Sequence, residues 1–145
     1  MMDAGRIEFL KNDYVNGFPG YCGLRVDRIA VGIFETHLDV RPEHSQQDGF
    51  VHAGVIATMA DHTAGYAAFT SVAENVRILT VEFKINYFKP ARGKTILCRS
   101  KVISGGKKII VSESEVFSQE SQQEKLVSKA MVTLMAVPQS ELKRS

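Results

Sequence analysis

With 145 residues, 44% of them hydrophobic and 23% charged, the chain has the size and balance of one domain with a real core. A formal net charge of +2 excludes a nucleic-acid footprint and an acidic tail, and is compatible with an anionic ligand. Two distant cysteines, Cys22 and Cys98, read as reduced core thiols of a cytoplasmic protein; with four scattered histidines they make no metal constellation, so metal: none.

Charges throughout residues 1–20 leave no room for a signal-peptide core, and no stretch is long enough to span a membrane. Residues 6–16 predict a short amphipathic helix with Ile7, Leu10 and Tyr14 on its apolar side, ended by Gly17-Phe-Pro-Gly20. Leu24–Ala30 and Gly32–Val40 read as two strands, the second placing Phe34, Thr36, Leu38 and Val40 on one face. His37 falls on the polar face with Glu35 and Asp39 and receives no role.

The clearest strand surrounds residues 80–87. Val81, Phe83, Ile85 and Tyr87 point one way, and Thr80, Glu82, Lys84 and Asn86 the other; Pro90 and Gly93 close it. Three further strands fall at about 94–103, 107–118 and 124–137, separated by Ser104-Gly-Gly106 and a solvated glutamine-rich loop at 118–124. The tail 138–145 reads as frayed. Strand, strand, long helix and four strands make an α+β domain over residues 1–145: one long central helix wrapped by a six-stranded antiparallel sheet. One helix covers only part of such a sheet, so its edges need pairing or protection.

Residues 46–70 organise the rest. A turn at Asp48-Gly49 leads through His52 into about eighteen proline-free, alanine-rich residues, a long helix by length and composition. Gly54, Ala57, Thr58, Asp61, Ala64, Gly65 and Ala68 share a stripe of small side chains interrupted by one carboxylate. Asp61 is either a solvated acid on an ordinary amphipathic helix or a desolvated acid with a partner or a task. At the helix start, unpaired amides and the positive end of the macrodipole offer an oxyanion site at the Gly54 N–H. Asp61 lies two turns further, roughly 10 Å along the axis. That separation is too long for both groups to grip one carbonyl, unless the substrate spans two helices from two subunits.

His52-Ala-Gly54 with an Asp nine residues after the histidine, and Thr80-Val-Glu-Phe-Lys-Ile-Asn-Tyr-Phe-Lys-Pro-Ala-Arg-Gly93 in the expected order and separation, resemble the hotdog-fold acyl-CoA thioesterases. The phenylacetate-pathway (PaaI-like) group is the nearest, and the resemblance covers about residues 20–137. It implies a hotdog fold and hydrolysis of an acyl-CoA thioester, CoA being part of the substrate and no cofactor being needed. It also implies a homodimer joined at sheet edges, extending to a homotetramer as a dimer of dimers, in which the partner subunit supplies the acid.

Carried over residue by residue, Asp61 is general base or nucleophile, and Gln46 takes the place of the family's Asn or Gln, with Gln47 and Asp48 within a slip of one or two residues. Thr80 matches a hydroxyl that holds the attacking water, or is simply a β-former. His52 either binds near the thioester carbonyl or orients the turn structurally. Arg92, Lys107 and Lys108, beside turns, are candidates for the nucleotide end of CoA, and Phe18 and Tyr21 for the acyl pocket. Ala53 departs from the family's His-Gly-Gly, and His62 beside the acid is given no role. Neither a nucleophile elbow nor a phosphate-binding glycine loop occurs. Two rivals stand beside hydrolysis: a non-catalytic acyl-CoA or lipid-binding hotdog module, and a hotdog dehydratase or hydratase.

Overall fold

A computed structural model describes residues 2–142; the last three residues of the expected frayed tail, 143–145, lie outside them. Helix α1 (Ala4–Tyr14) starts two residues earlier than its apolar pattern suggests, because the Asp3 side chain accepts the Arg6 N–H at 2.8 Å and caps it. Leu10 and Tyr14 on its inner side are fully buried. Gly17, at φ +68°, turns the chain into the single-turn α2 (Phe18–Tyr21).

Strands β1 (Leu24–Ala30) and β2 (Ile33–Asp39) form a hairpin around Gly32, after which a 3₁₀ turn over Pro42–His44 leads to α3 (Ala53–Phe69). Strands β3 (Val76–Tyr87), β4 (Thr95–Gly105), β5 (Ile109–Glu120) and β6 (Gln123–Pro138) follow. All six strands form one antiparallel sheet in the order β1-β2-β4-β5-β6-β3. The hotdog plan expected above is therefore the fold. The chain leaves β2 near one edge and re-enters the sheet as β3 at the other, and α3 makes that crossing over the inner face.

Small residues explain how closely α3 lies. Ala60, Ala64, Ala67 and Ala68 are fully buried against the sheet, with Phe34, Leu38, Val132 and Leu134 beneath. Polar groups trapped in the contact are paired, as low dielectric requires. Ser114 Oγ donates to the Ala60 carbonyl at 2.7 Å and shares a 2.6 Å hydrogen bond with Ser100, while Thr63 joins Thr36 at 3.0 Å and the Tyr14 hydroxyl at 2.8 Å. Cys98 lies in this core, where burial pushes its thiol upward and keeps it protonated. The tail is ordered further than expected: β6 continues to Pro138, and Gln139 N–H donates to Asn75 O at 2.7 Å.

The two sheet edges differ. Strand β1 is short, polar and bulged near Asp27, three devices that blunt an edge. Strand β3 has twelve residues and exposes Leu79, Val81, Phe83 and Tyr87. An isolated chain leaves that row of backbone donors and acceptors without a neighbour.

Leu134 sits on β6 opposite Thr80 and under Gly65. Leu134→Ala is expected to lower unfolding free energy by about 2–5 kcal/mol, read by urea denaturation, since a fully buried leucine leaves a cavity there.

Candidate active site

Asp61 is half-buried on α3, and Thr80 Oγ1 donates to its Oδ1 at 2.7 Å. Strict alternation would have sent Thr80 to the outer face with Glu82. A bulge between Thr80 and Glu82 sets Thr80 and Val81 together against Leu134, so Thr80 faces the helix like Phe83 while Glu82 pairs outward with Thr133. The expected grouping of Thr80 with Glu82, Lys84 and Asn86 is thus corrected, and the correction brings Thr80 to the acid.

Asp61 and Thr80 line a cavity of about 290 Å³ between α3, β3 and the end of α1, together with Asp13, Tyr66, Phe69 and Arg77. His62, left without a role above, reaches α1: its Nε2–H donates to Tyr14 O at 2.8 Å, and its ring packs 4.3 Å from that of Tyr14. The accepting carbonyl fixes the proton on Nε2. Burial pushes this imidazole below its ordinary pKa. Tyr66 Oη donates to Asp13 Oδ2 at 2.6 Å, and burial followed by the Asp13 carboxylate pushes the phenol upward. Sequence reasoning placed Tyr66 near the pocket and His62 beside the acid without a role, and missed Asp13 and the contacts that both make with the first helix. The only sequence trace of those contacts was Tyr14 on the apolar side of the first helix.

At the other end of α3, His52 is the N-cap residue. Its Nδ1 accepts the Gly54 N–H at 2.8 Å. The close approach that glycine permits is used by this ring, since a Cβ at position 54 would lie 3.0 Å from Nδ1. Tyr87 Oη donates to Ala53 O at 2.9 Å and seats β3 on the helix start. Here a larger cavity of about 540 Å³ is lined by Gln46, Gln47, His52, Ala53, Tyr87 and Pro90 among others. Gln46 accepts the Asp48 N–H and so braces the turn, and Val51 N–H donates to Ala91 O at 3.0 Å. His44, unremarked in the sequence, is a buried structural histidine whose Nδ1 accepts the Arg41 N–H at 2.8 Å and whose Nε2–H donates to Cys22 O at 2.6 Å.

Gln46, His52 and Gly54 therefore gather at one end of α3, and Asp61 with Thr80 lie further along it. The cationic candidates divide in the same way. Arg92 stacks 4.4 Å over the Phe50 ring and lines a third cavity with Lys89 and Lys125, whereas Lys107 and Lys108 sit in the β4–β5 turn, toward the Asp61 end. Phe18 and Tyr21 do not line the cavities at Asp61 or His52 and are 61% and 80% exposed, because one turn of α2 carries them outward. Among the described residues no group of three acidic, histidine or cysteine side chains is placed to hold a metal, and no helix is long and apolar enough to cross a membrane.

Residues 48–125, more than half of the chain and including both ends of this arrangement, match the family model described as thioesterase superfamily. The chain belongs to the thioesterase superfamily. Its fold superposes on a thioesterase family protein of Silicibacter pomeroyi with a TM-score of 0.88 at 29% identity, covering 91% of this chain and 98% of that one. A thioesterase of Haemophilus influenzae shares the fold at TM-score 0.85 and 20% identity, with 94% of each chain covered. A proposed esterase of Saccharolobus solfataricus is 27% identical over 128 residues, 87% of this chain and 79% of that one. Membership in this superfamily makes hydrolysis of a thioester the general activity.

His62 supplies a pH signature. Unfolded, it titrates near pH 6.5; folded, it stays neutral to lower pH. Below about pH 6.5 the unfolded chain binds the extra proton, so stability falls as pH falls through that value. The expected result is a shallower loss of melting temperature between pH 7 and 5 in His62→Gln, which retains a donor for Tyr14 O.

Proposed function

We propose that this protein is an acyl-CoA thioesterase in which Asp61 of one subunit acts on a thioester whose carbonyl sits at the helix start of a second. The observation that carries the reading is the Asp61–Thr80 pair, a carboxylate held at 2.7 Å by a hydroxyl at the unpaired edge of the sheet. Asp61 either removes a proton from an attacking water or attacks the carbonyl itself, giving an acyl-enzyme anhydride that water then opens. In both routes the carbonyl carbon gains an oxygen, the C–S bond breaks, and CoA leaves as thiolate to be protonated. Thr80 orients the carboxylate or the water beside it.

The bare β3 edge supports the two-subunit arrangement. Thr80 contacts Asp61 and Tyr87 contacts Ala53. Two β3 strands paired antiparallel about Phe83 and Lys84 would set Thr80 against the partner's Tyr87, bringing the acid of one chain to the helix start of the other. The Gly54 amide then serves as oxyanion donor once the His52 ring swings off it. Gln46 borders the same cavity, and Arg92 offers a cation for the CoA phosphates. The same reversal carries the partner's Lys107 and Lys108 toward this end.

One observation favours the non-catalytic binding module instead: the Gly54 N–H is already taken by His52. Thiol release from a panel of acyl-CoA esters separates the two readings. The expected outcome is turnover by the wild type and a fall in kcat of about 10²–10⁴ in Asp61→Ala at unchanged melting temperature. Acyl-CoA binding without turnover supports the binding module, and turnover unchanged in Asp61→Ala refutes the site assignment.

A further inference from the structure

The cavity beside Asp61 is short, and its far end is polar. Helix α1 closes it and is fastened to α3 by four hydrogen bonds. These are Tyr66 Oη to Asp13 Oδ2 at 2.6 Å, His62 Nε2–H to Tyr14 O at 2.8 Å, Tyr14 Oη with Thr63 Oγ1 at 2.8 Å, and an Arg6 N–H to Phe69 O at 3.1 Å. An acyl chain growing from a carbonyl at Asp61 therefore meets a fixed wall. Its sides are formed by Gly65, Phe69 and Ile78, and its end carries Asp13, the Tyr66 hydroxyl and Arg77.

Tyr66 follows Asp61 by five residues, roughly 7.5 Å along a helix axis. At about 1.2 Å per bond of an extended chain, that is about six bonds beyond the carbonyl carbon. A methyl group there would strip water from the Asp13 carboxylate without replacing its hydrogen bonds. Charge narrows the choice further: a distal carboxylate would be repelled by Asp13 and Asp61, and a distal ammonium would have its attraction to them offset by its own lost hydration and by Arg77, whose guanidinium is held at the cavity by bonds to Glu74 O and Val76 O. A neutral hydroxyl donates to the carboxylate without bringing a charge out of water. Tyr66 engages Oδ2 of Asp13, and no side chain among the described residues donates to Oδ1, which can accept a further proton donor.

Resting on the thioesterase reading above, we propose that this cavity selects short acyl groups bearing a neutral hydrogen-bonding group about six bonds from the thioester carbonyl, with Asp13 as the residue that determines the preference. Such a site discriminates against an analogue lacking the hydroxyl because its own polar groups then go unpaired.

The test compares 6-hydroxyhexanoyl-CoA with heptanoyl-CoA, which match in chain length. Each is used as the thioester for hydrolysis and as its S-(2-oxoalkyl) ketone analogue, which cannot be hydrolysed, for calorimetric binding. The hydroxylated analogue is expected to bind at least about tenfold more tightly. Asp13→Ala is expected to abolish that difference. Tyr66→Phe, which breaks the same hydrogen bond but keeps the carboxylate, is expected to retain it; loss of the preference in both variants alike would overturn the direct role of Asp13. Equal binding of the two ketones by the wild type, or tighter binding of the heptanoyl one, overturns the inference while hydrolysis of either thioester leaves the thioesterase reading standing. No binding of either ketone overturns the inference alone if other esters of the acyl-CoA panel are hydrolysed, and absence of hydrolysis across the panel and both thioesters overturns both.

Discussion

A helix is stiff along its axis, and α3 fixes the distance between its own N-terminal amides and Asp61 at two turns, roughly 10 Å. No side-chain rotation closes that gap to the span of one carbonyl group and its attacking oxygen. On the proposed reading, the chain presents two incomplete halves of a site. His52, Gly54, Gln46 and Tyr87 surround an amide that can receive negative charge, and Asp61 with Thr80 hold a carboxylate. The packing around α3 holds the two groups at that separation. The alanine face lets the helix sit close on the sheet, and the buried hydroxyls of Ser114, Thr63 and Tyr14 satisfy the polar groups that this closeness traps.

The same geometry explains why the two edges are so different. Strand β1 is protected by its shortness, charge and bulge, whereas β3 is long, apolar and open, and it carries both Thr80 and Tyr87. A strand pairing only with itself reverses direction across a twofold axis. In the proposed dimer, such a reversal would turn two half-sites on one chain into two whole sites on a pair.

Much of this was legible in the sequence because the signals were local. Alternation at Phe34, Thr36 and Leu38, the alanine-rich run after His52 and the Gly-Gly hairpin each dictate their own element, and together they dictate the hotdog plan. Asp61 stood out as the one acid in a stripe of small residues. What escaped was set by tertiary contacts. The bulge at Val81 reverses the facing of Thr80, and alternation carries no mark of an inserted residue. His62 and Asp13 are distant in sequence from their partners Tyr14 and Tyr66, so only the packing of α1 reveals them. Phe18 and Tyr21 were pocket candidates through the family resemblance, but one helical turn sends them outward. The three candidate cations share a charge and a turn context, yet they lie at opposite ends of the sheet.

The most direct test of a site shared between two chains is subunit mixing. Asp61→Ala removes the acid, and Gly54→Pro removes the amide donor in the first turn of the helix, where proline breaks no intrahelical hydrogen bond. Each variant alone should be inactive. Co-refolded in equal amounts, they should regain roughly a quarter of wild-type thiol release, because half the pairs are mixed and each mixed pair holds one intact site of two. Mixed pairs verified by mass spectrometry but showing no recovered activity would contradict the shared site, as would an active Asp61→Ala homodimer.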